Sequence, residues 1–293
     1  MTKRREFLKS ATVSALALMV PGRPFSSAMP KKPRMKPGLV TYQWGKDWDV
    51  PTIIRNCEQS GMLGVELRTE HKHGVEPTLT AAQRKEVKAL FDNSRVTFIG
   101  YGSNVEFDSP DPNVLKENMD FGRQLVKLSH DIGGTGVKVK PNRFHQGVPK
   151  EKTIEQIGKS LNELGKFAVD YGQKIRLEVH GRETQELPNM KAIMDVADHP
   201  NVVVCWNCNP TDLIGEGFHH NFNLVKDRLG DTIHIHELDS GNYPYEDLMR
   251  ELVKMNYDGW CLWECTSQPN DTVAEMGRQV KLWRELVGSV RKS

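Results

Sequence analysis

The residues that decide the fold lie between 175 and 264, where four short apolar runs each end in a polar side chain: IRLE (175–178), VVVCWN (202–207), TIHIH (232–236) and WCLWE (260–264). The last residues of these runs are almost evenly spaced, since 207 − 178 = 29, 236 − 207 = 29 and 264 − 236 = 28. A strand, its return helix and two short loops take about 30 residues in a βαβ unit. The spacing therefore predicts that the four polar residues occupy the carboxyl ends of four successive parallel strands.

The rest of the chain repeats the same alternation. Short apolar runs, typical of parallel strands buried on both faces, alternate with segments of helical apolar spacing such as residues 50–60 and 272–290. Eight strands and eight helices between residues 38 and 293 predict an α/β fold, a single (β/α)8 TIM barrel. An open doubly wound sheet is the alternative. Its usual nucleotide role needs a glycine-rich phosphate loop after an early strand, and the sequence has none.

The first 37 residues are interpreted as a targeting segment and a linker. Residues 2–9 (TKRREFLK) match the twin-arginine export pattern, and the apolar stretch 11–20 is shorter than the about 20 residues that span a bilayer. We therefore expect a twin-arginine signal peptide over residues 1–29, a basic proline-rich linker over 30–37 and the barrel over 38–293. This predicts export by the twin-arginine machinery to the periplasm or beyond. Whether the signal is cleaved stays open.

Composition narrows the classes of function. The 293 residues are 38% hydrophobic and 27% charged with a formal net charge of +2, which indicates a globular protein and gives no reason to expect a nucleic-acid partner. The five cysteines are odd in number, and Cys205 and Cys208 lie on a predicted strand. Buried thiols are therefore expected in place of a disulfide framework or a zinc pair.

The four strand ends carry the ligand types that a hard divalent cation prefers, namely carboxylate, amide oxygen and imidazole. The predicted metal ligands are Glu178, Asn207, His236 and Glu264. His234 shares a strand face with His236 but is one step deeper, so it is assigned to the core. Glu178 and Glu264 lie three strands apart and can face each other across the barrel mouth, which suits a pair of groups that remove and return a proton.

Further polar residues follow the predicted strands and are candidates for contact with a substrate. Lys140 points into the rim of the barrel, where an unpaired ammonium is costly to bury, and is predicted to act as an acid, a base or an oxyanion partner. The predicted substrate-binding residues are His180, Arg68, His71 and Asn209.

The motifs LEVHG, CWNCNP, HIHEL and LWECT make the chain resemble the xylose isomerase-like TIM-barrel superfamily, the sugar phosphate isomerase/epimerase group, from about Gly38 onward. The resemblance implies one divalent metal ion (Mn, Co, Mg or Zn) on the four predicted ligands, with the two glutamates as the acid/base pair. Two departures stand out. Asn207 replaces an aspartate that the family usually has, and Pro210 replaces a histidine that often contacts the sugar.

The expected function is a metal-dependent carbohydrate isomerase or epimerase that acts on an unphosphorylated sugar or sugar derivative through an enediolate. Export argues against a phosphorylated substrate. A 3-keto-glycoside lyase or dehydratase working by β-elimination on the same site is the alternative, and a non-catalytic sugar-binding barrel is a further one. A metal-dependent nuclease is disfavoured, because residues 101–104 (YGSN) offer no histidine after the third strand. The oligomeric state stays open, a homo-oligomer included.

Overall fold

The computed structural model describes residues 35–292, so the predicted signal and most of the predicted linker lie outside the described residues. Eight parallel strands pair in chain order, and the eighth pairs back with the first to close a barrel. They are β1 (Lys36–Val40), β2 (Gly64–Arg68), β3 (Thr97–Glu106), β4 (Gly136–Lys140), β5 (Lys174–Glu178), β6 (Val202–Asn207), β7 (Leu229–Ile235) and β8 (Trp260–Trp263). The predicted (β/α)8 barrel is confirmed.

One α-helix follows each strand and covers the outside of the barrel. The helices are α1 (Val50–Ser60), α2 (Ala81–Asp92), α3 (Pro112–Ile132), α4 (Lys150–Val169), α5 (Leu187–Val196), α6 (Phe218–Val225), α7 (Tyr245–Lys254) and α8 (Thr272–Val290). Local sequence explains the bounds of α1. Asp49 accepts a hydrogen bond from the backbone of Thr52, and Gly61 takes the left-handed conformation that ends the helix.

Several strand bounds differ from the sequence prediction, and β1 and β3 reach further than predicted. β1 begins at Lys36, two residues inside the segment interpreted as a linker. β3 continues to Glu106, so Ser103 and Asn104, which were predicted to lie in a loop, are strand residues. The hydroxyl of Ser103 donates to the carbonyl of Lys138 (2.6 Å) and holds this extension against β4 across a shift in register. The extension brings Asn104 to the barrel mouth.

The barrel interior is unusual in its charge. A small apolar cluster of Val40, Ile99 and Leu262 lies apart from the large core between sheet and helices. Five acidic or basic side chains on the strands are also fully or almost fully buried, at zero to 1% exposure: Glu66, Lys138, Arg176, Glu178 and His234. Buried charges persist only when they are paired. These charges are therefore expected to form pairs, which lie at both ends of the barrel.

The amino-terminal end of the barrel is closed by an ion pair that we call the lower plug, formed by Arg176, Asp231 and Thr135. The Arg176 guanidinium donates twice to the Asp231 carboxylate (3.0 and 2.9 Å) and once to the Thr135 hydroxyl (2.7 Å). Burial raises the pKa of Asp231, but Arg176 outweighs it and lowers the pKa to about 2. A Cβ on Gly136 would lie 2.8 Å from the guanidinium carbon, so glycine makes room for it.

All five cysteines are free and buried, as the sequence predicted. Burial raises the pKa of the Cys57 and Cys261 thiols to about 12, which is the environment of inert structural thiols. Among the described residues, no helix combines the length and the apolar character that a membrane crossing requires.

Candidate active site

Two carboxylates converge on one imidazole at the carboxyl ends of the strands. The Nδ1 atom of His234 lies 3.2 Å from Glu178 Oε1 and 3.3 Å from Glu264 Oε2. One ligand atom from each of these three residues lies within 4.8 Å of the others, and all three side chains are buried. This group, the carboxylate–histidine cluster, is an arrangement that could hold a metal ion.

The cluster contains His234 where the sequence prediction placed His236. β7 ends at Ile235, and the His236 ring lies against β8, where its Nδ1–H donates to the backbone carbonyl of Glu264 (2.8 Å). The sequence assigned His234 to the core and His236 to the metal, whereas the structure brings the His234 ring to the two glutamates. The strands of a closed barrel are staggered, so equal spacing along the sequence does not fix the height of a residue in the barrel. The role of His236 as a metal ligand stays a prediction. The residue that pairs with Asn207 is His234.

Asn207 adjoins the cluster from β6. Its amide nitrogen donates to Glu178 Oε1 (3.1 Å), and its amide oxygen is buried without a hydrogen-bond partner among residues 35–292. The two ends of an amide have nearly the same shape, so a half-turn of the group would exchange them. The Asn207 side chain can therefore offer an oxygen atom as a metal ligand.

Each carboxylate of the cluster also binds a cation with its second oxygen. Lys138 Nζ donates to Glu178 Oε2 (2.7 Å), and Arg68 Nη1 donates to Glu264 Oε1 (3.0 Å). Both glutamates therefore leave one oxygen facing His234. The ion pair between Lys138 and Glu178 could not be read from strand alternation in the sequence.

The electrostatics keep both carboxylates ionised. Burial raises the pKa of Glu178, but Lys138 and His234 outweigh it, and the pKa lies well below the ordinary value. Burial and the Glu178 charge raise the pKa of Glu264, yet His234 and Lys138 lower it further than these raise it. Burial likewise lowers the pKa of His234, while the surrounding carboxylates raise it well above the ordinary range.

Glu66 on β2 is a component that the sequence analysis missed. Its Oε1 lies 3.1 Å from His234 Nε2, and its Oε2 is buried without a partner in the described chain. A carboxylate on the far ring nitrogen is how proteins commonly orient a metal-binding histidine. The signal was present in the sequence, because Glu66 is an acid in the middle of an otherwise buried strand.

These donors fit a divalent cation. Inward oxygens of Glu178 and Glu264, the His234 Nδ1 and the Asn207 amide oxygen form a mixed set of oxygen and nitrogen ligands, suitable for Mn, Co, Mg or Zn. The unpartnered Asn207 oxygen and the Glu66 contact with the far side of His234 are the observations that support this fit.

The remaining predicted residues surround the cluster in different roles. Lys140 Nζ donates to Asn104 Oδ1 (2.7 Å), and Arg68 Nη2 donates to the same oxygen (3.1 Å). Burial, with help from Lys138 and Arg68, lowers the pKa of Lys140 to about 8. The Asn209 amide donates to the backbone carbonyl of Val179 (2.7 Å), so this residue also shapes the turn after β6.

His180 and His71 each keep a buried ring nitrogen without a partner in the part of the chain that the structure describes. Burial is the first cause that lowers the pKa of both imidazoles. The charge of Glu178 raises the pKa of His180, whereas the charges of Lys140 and Lys138 lower it. These influences agree with the predicted position of His180 beside the cluster.

A cavity of about 250 Å³ opens next to these residues, between the segments that follow β6, β7 and β8. Its wall combines aromatic and polar side chains. The lining includes Asn209, His236, Glu237, Ser240, Tyr243, Tyr245 and Thr266.

Comparisons with known proteins agree with this architecture. The sequence model of the family described as xylose isomerase-like TIM barrel matches residues 54–287. A fructoselysine 3-epimerase from Escherichia coli O157:H7 is 21% identical over 248 residues, 78% of this chain and 89% of that protein.

Two solved structures are similar in fold. A 3-keto-D-glucoside 4-epimerase from E. coli has a TM-score of 0.73 at 15% identity, covering 86% of this chain and all of that one. The IOLI protein, described with a zinc atom, has a TM-score of 0.73 at 15% identity, covering 87% and 99% of the two chains.

Proposed function

Because the chain belongs to the xylose isomerase-like TIM-barrel family, we propose that it is a sugar epimerase or isomerase that uses one divalent metal ion. The observation that carries the proposal is the carboxylate–histidine cluster at the carboxyl end of the barrel, where enzymes of this fold place their catalytic residues. The curated relative is named as an epimerase, and so is one of the similar structures. These comparisons give the lyase alternative no support.

The proposed metal ligands are Glu178, Asn207, His234 and Glu264, so His234 takes the role that the sequence gave to His236. A cation on these donors would supply Lewis-acid charge that stabilises an enediolate. The Zn-associated relative supports metal use in this fold, and its ion does not identify the metal here.

The chain's own residues move the proton. Inversion of a carbon requires removal of its proton on one face and return of a proton on the other, and hence two groups. Glu178 on β5 and Glu264 after β8 approach the same point from different strands, and their inward oxygens suit these two steps. One carboxylate takes the proton from the carbon beside the carbonyl and later releases it to water. The other carboxylate takes up a proton from water and delivers it to the opposite face of that carbon.

Lys140, Arg68 and His180 are the proposed binding partners of the sugar oxygens. Lys140, with a pKa of about 8, is mostly protonated at neutral pH and can donate a hydrogen bond to an oxygen that gains negative charge. His180 offers an unpartnered buried nitrogen on the strand that also carries Glu178. His71 is the proposed contact from the segment after β2.

We infer an unphosphorylated sugar or sugar derivative as the substrate. None of the residues that line the 250 Å³ cavity is a lysine or an arginine, whereas phosphate sites commonly use them. Fructoselysine and 3-keto-D-glucoside, the compounds named for two relatives, are sugars that carry a further group. Export through the twin-arginine machinery stays a prediction, and it also favours an unphosphorylated substrate.

The test combines metal analysis with proton exchange on the full-length protein. After incubation with Mn, Co, Zn or Mg and removal of free ions, we expect about one ion per chain in the wild type, loss in His234→Ala and retention in His236→Ala. In D₂O, NMR should show deuterium entering D-fructose or 3-keto-D-glucose with wild type, and exchange about 10²–10⁴-fold slower with Glu178→Gln.

The matched histidine variants decide between the two candidate ligands. Retention of metal in His234→Ala with loss in His236→Ala would restore the prediction made from sequence spacing. Sugar binding by a wild type that takes up no metal and exchanges no proton would favour the non-catalytic sugar-binding barrel.

A further inference from the structure

The cavity lies directly beyond the proposed metal ligands along the strands. Three lining residues come two positions after proposed ligands in the sequence, just beyond the ends of their strands: Asn209, His236 and Thr266, which follow Asn207, His234 and Glu264. A molecule bound at the cluster and extending out of the barrel on this side would enter the cavity.

Two tyrosines form an aromatic wall whose hydroxyl groups are already used by the protein. Tyr243 donates to Asp212 Oδ2 (2.7 Å) and accepts from the indole nitrogen of Trp206 (3.1 Å). The hydroxyl of Tyr245 accepts from the backbone nitrogen of His236 (3.0 Å). The two ring centroids lie 5.1 Å apart.

These hydrogen bonds fix both rings before any ligand arrives. A fixed aromatic surface needs no ordering on binding, which lowers the entropic cost of association. Ring surface is therefore what this wall offers to a ligand, mainly through the half-buried Tyr243, since Tyr245 is only 4% exposed. Such a wall favours a flat or ring-shaped group over a flexible polar chain.

The charge of the cavity excludes some occupants. Glu237 is the one lining carboxylate, and it accepts a hydrogen bond from the backbone of Ser267 (3.2 Å). With no lysine or arginine in the lining, an anionic group would meet repulsion without a compensating cation. Ser240 and Thr266 are exposed hydroxyl groups at the rim and suit an uncharged partner.

We propose that the cavity is a subsite for a neutral ring linked to the reacting sugar. The sugar carbonyl lies at the carboxylate–histidine cluster, and the second ring lies against Tyr243 and Tyr245. The volume of about 250 Å³ is below the about 300–1,000 Å³ of sites that hold a whole ligand, as expected for one part of a longer substrate. This subsite rests on the proposed function, because it assumes that the reacting sugar binds at the cluster.

The test compares two ligands that differ only in the second ring. Isothermal titration of the full-length, metal-loaded protein is performed with 3-keto-D-glucose and with phenyl 3-keto-β-D-glucoside. We expect the phenyl compound to bind about tenfold more tightly, a difference of about 1.4 kcal/mol. The 4-carboxyphenyl analogue should lose most of this advantage because of Glu237.

Substitutions at the rim locate the effect. Ser240→Trp and Thr266→Trp place bulk at the cavity from two different segments, both at exposed positions. Each should bring the ratio of the two dissociation constants close to one. Asn270→Trp is the matched control, because Asn270 is exposed on the segment before α8 and does not line the cavity. It should keep the wild-type ratio.

Equal affinities for the two ligands in the wild type would overturn the subsite, and so would an unchanged ratio in both rim variants. The proposed function would stand in either case if 3-keto-D-glucose still binds and exchanges its proton in D₂O. Failure of the metal-loaded wild type to bind either ligand would overturn the subsite and the proposed function together.

Discussion

The lower plug and the group around His234 are two sets of buried charged residues on the same two strands, β5 and β7, but they differ in how completely their atoms are paired. β5 carries Arg176 low in the barrel and Glu178 at its end, and β7 carries Asp231 near its start and His234 near its end. In the lower plug, Arg176 binds Asp231 through two hydrogen bonds. Every group of that pair has a direct partner.

The upper group is left incomplete. Three acids, Glu66, Glu178 and Glu264, surround one imidazole, and buried polar atoms of Glu66 and Asn207 have no partner within residues 35–292. An unsatisfied buried polar atom costs about 1–3 kcal/mol. A protein keeps such a cost where function requires it. The contrast indicates that the lower plug serves stability, and that the upper group is shaped for a ligand.

The largest effect on stability is expected when the lower plug loses its carboxylate. Asp231→Ala leaves the fully buried Arg176 guanidinium without its counter-charge, so we expect the free energy of unfolding to fall by about 3 kcal/mol. Urea denaturation at pH 7 measures this. Metal content should not change.

Asp92→Ala provides the control, because Asp92 forms an exposed pair with Lys88 whose loss should cost at most about 0.5 kcal/mol. Loss of metal from Asp231→Ala would contradict the separation of the two ends of the barrel.

A second variant tests the upper group, where we expect metal affinity to change and stability to be kept. Glu66→Gln keeps the shape of the side chain but removes its charge from His234 Nε2, so we expect metal affinity to fall about 10–100-fold. Stability without metal should change little, because glutamine keeps an oxygen that can accept a hydrogen bond from His234 Nε2. Competition with a fluorescent chelator gives the affinity, and urea denaturation of the metal-free protein gives the stability. A large loss of stability with unchanged metal affinity would mean that Glu66 stabilises the fold, as the lower plug does, and does not support metal binding.

The smallest expected effect concerns the segment behind Arg68, which is held by a neutral histidine. His73 Nδ1 accepts from the backbone of Val75 (3.0 Å), so its Nε2–H donates to the carbonyl of Arg68 (2.7 Å). Burial lowers the pKa of His73 to about 4. Because the unfolded chain binds a proton at about pH 6.5 and the folded chain does not, this stabilisation is present above pH 6.5 and is lost as the pH falls towards 4.

We therefore expect the wild type to lose about 1 kcal/mol more than His73→Gln between pH 7 and pH 5.5, as measured by urea denaturation. Glutamine keeps a donor for the Arg68 carbonyl but cannot take up a proton. Equal pH dependence in the two proteins would mean that His73 is not held neutral.

The order of elements followed from the sequence almost completely. α1 and α8 have the predicted bounds, because apolar periodicity and helix-ending residues are local signals. The extension of β3 was not predicted. It depends on the hydrogen bond of Ser103 to the neighbouring strand, which no local pattern reveals.

By itself, the sequence determined the barrel, the five buried thiols and the end of the barrel at which Glu178, Asn207 and Glu264 meet. Strand alternation and spacing carry that information, because they fix which residues point inward at a strand end. The contact of His234 with Glu178 and Glu264, and that of Glu66 with the far nitrogen of the same ring, could be seen only in the three-dimensional structure. The height of a residue in a closed barrel depends on the stagger between strands, and this stagger is set by packing of the whole sheet.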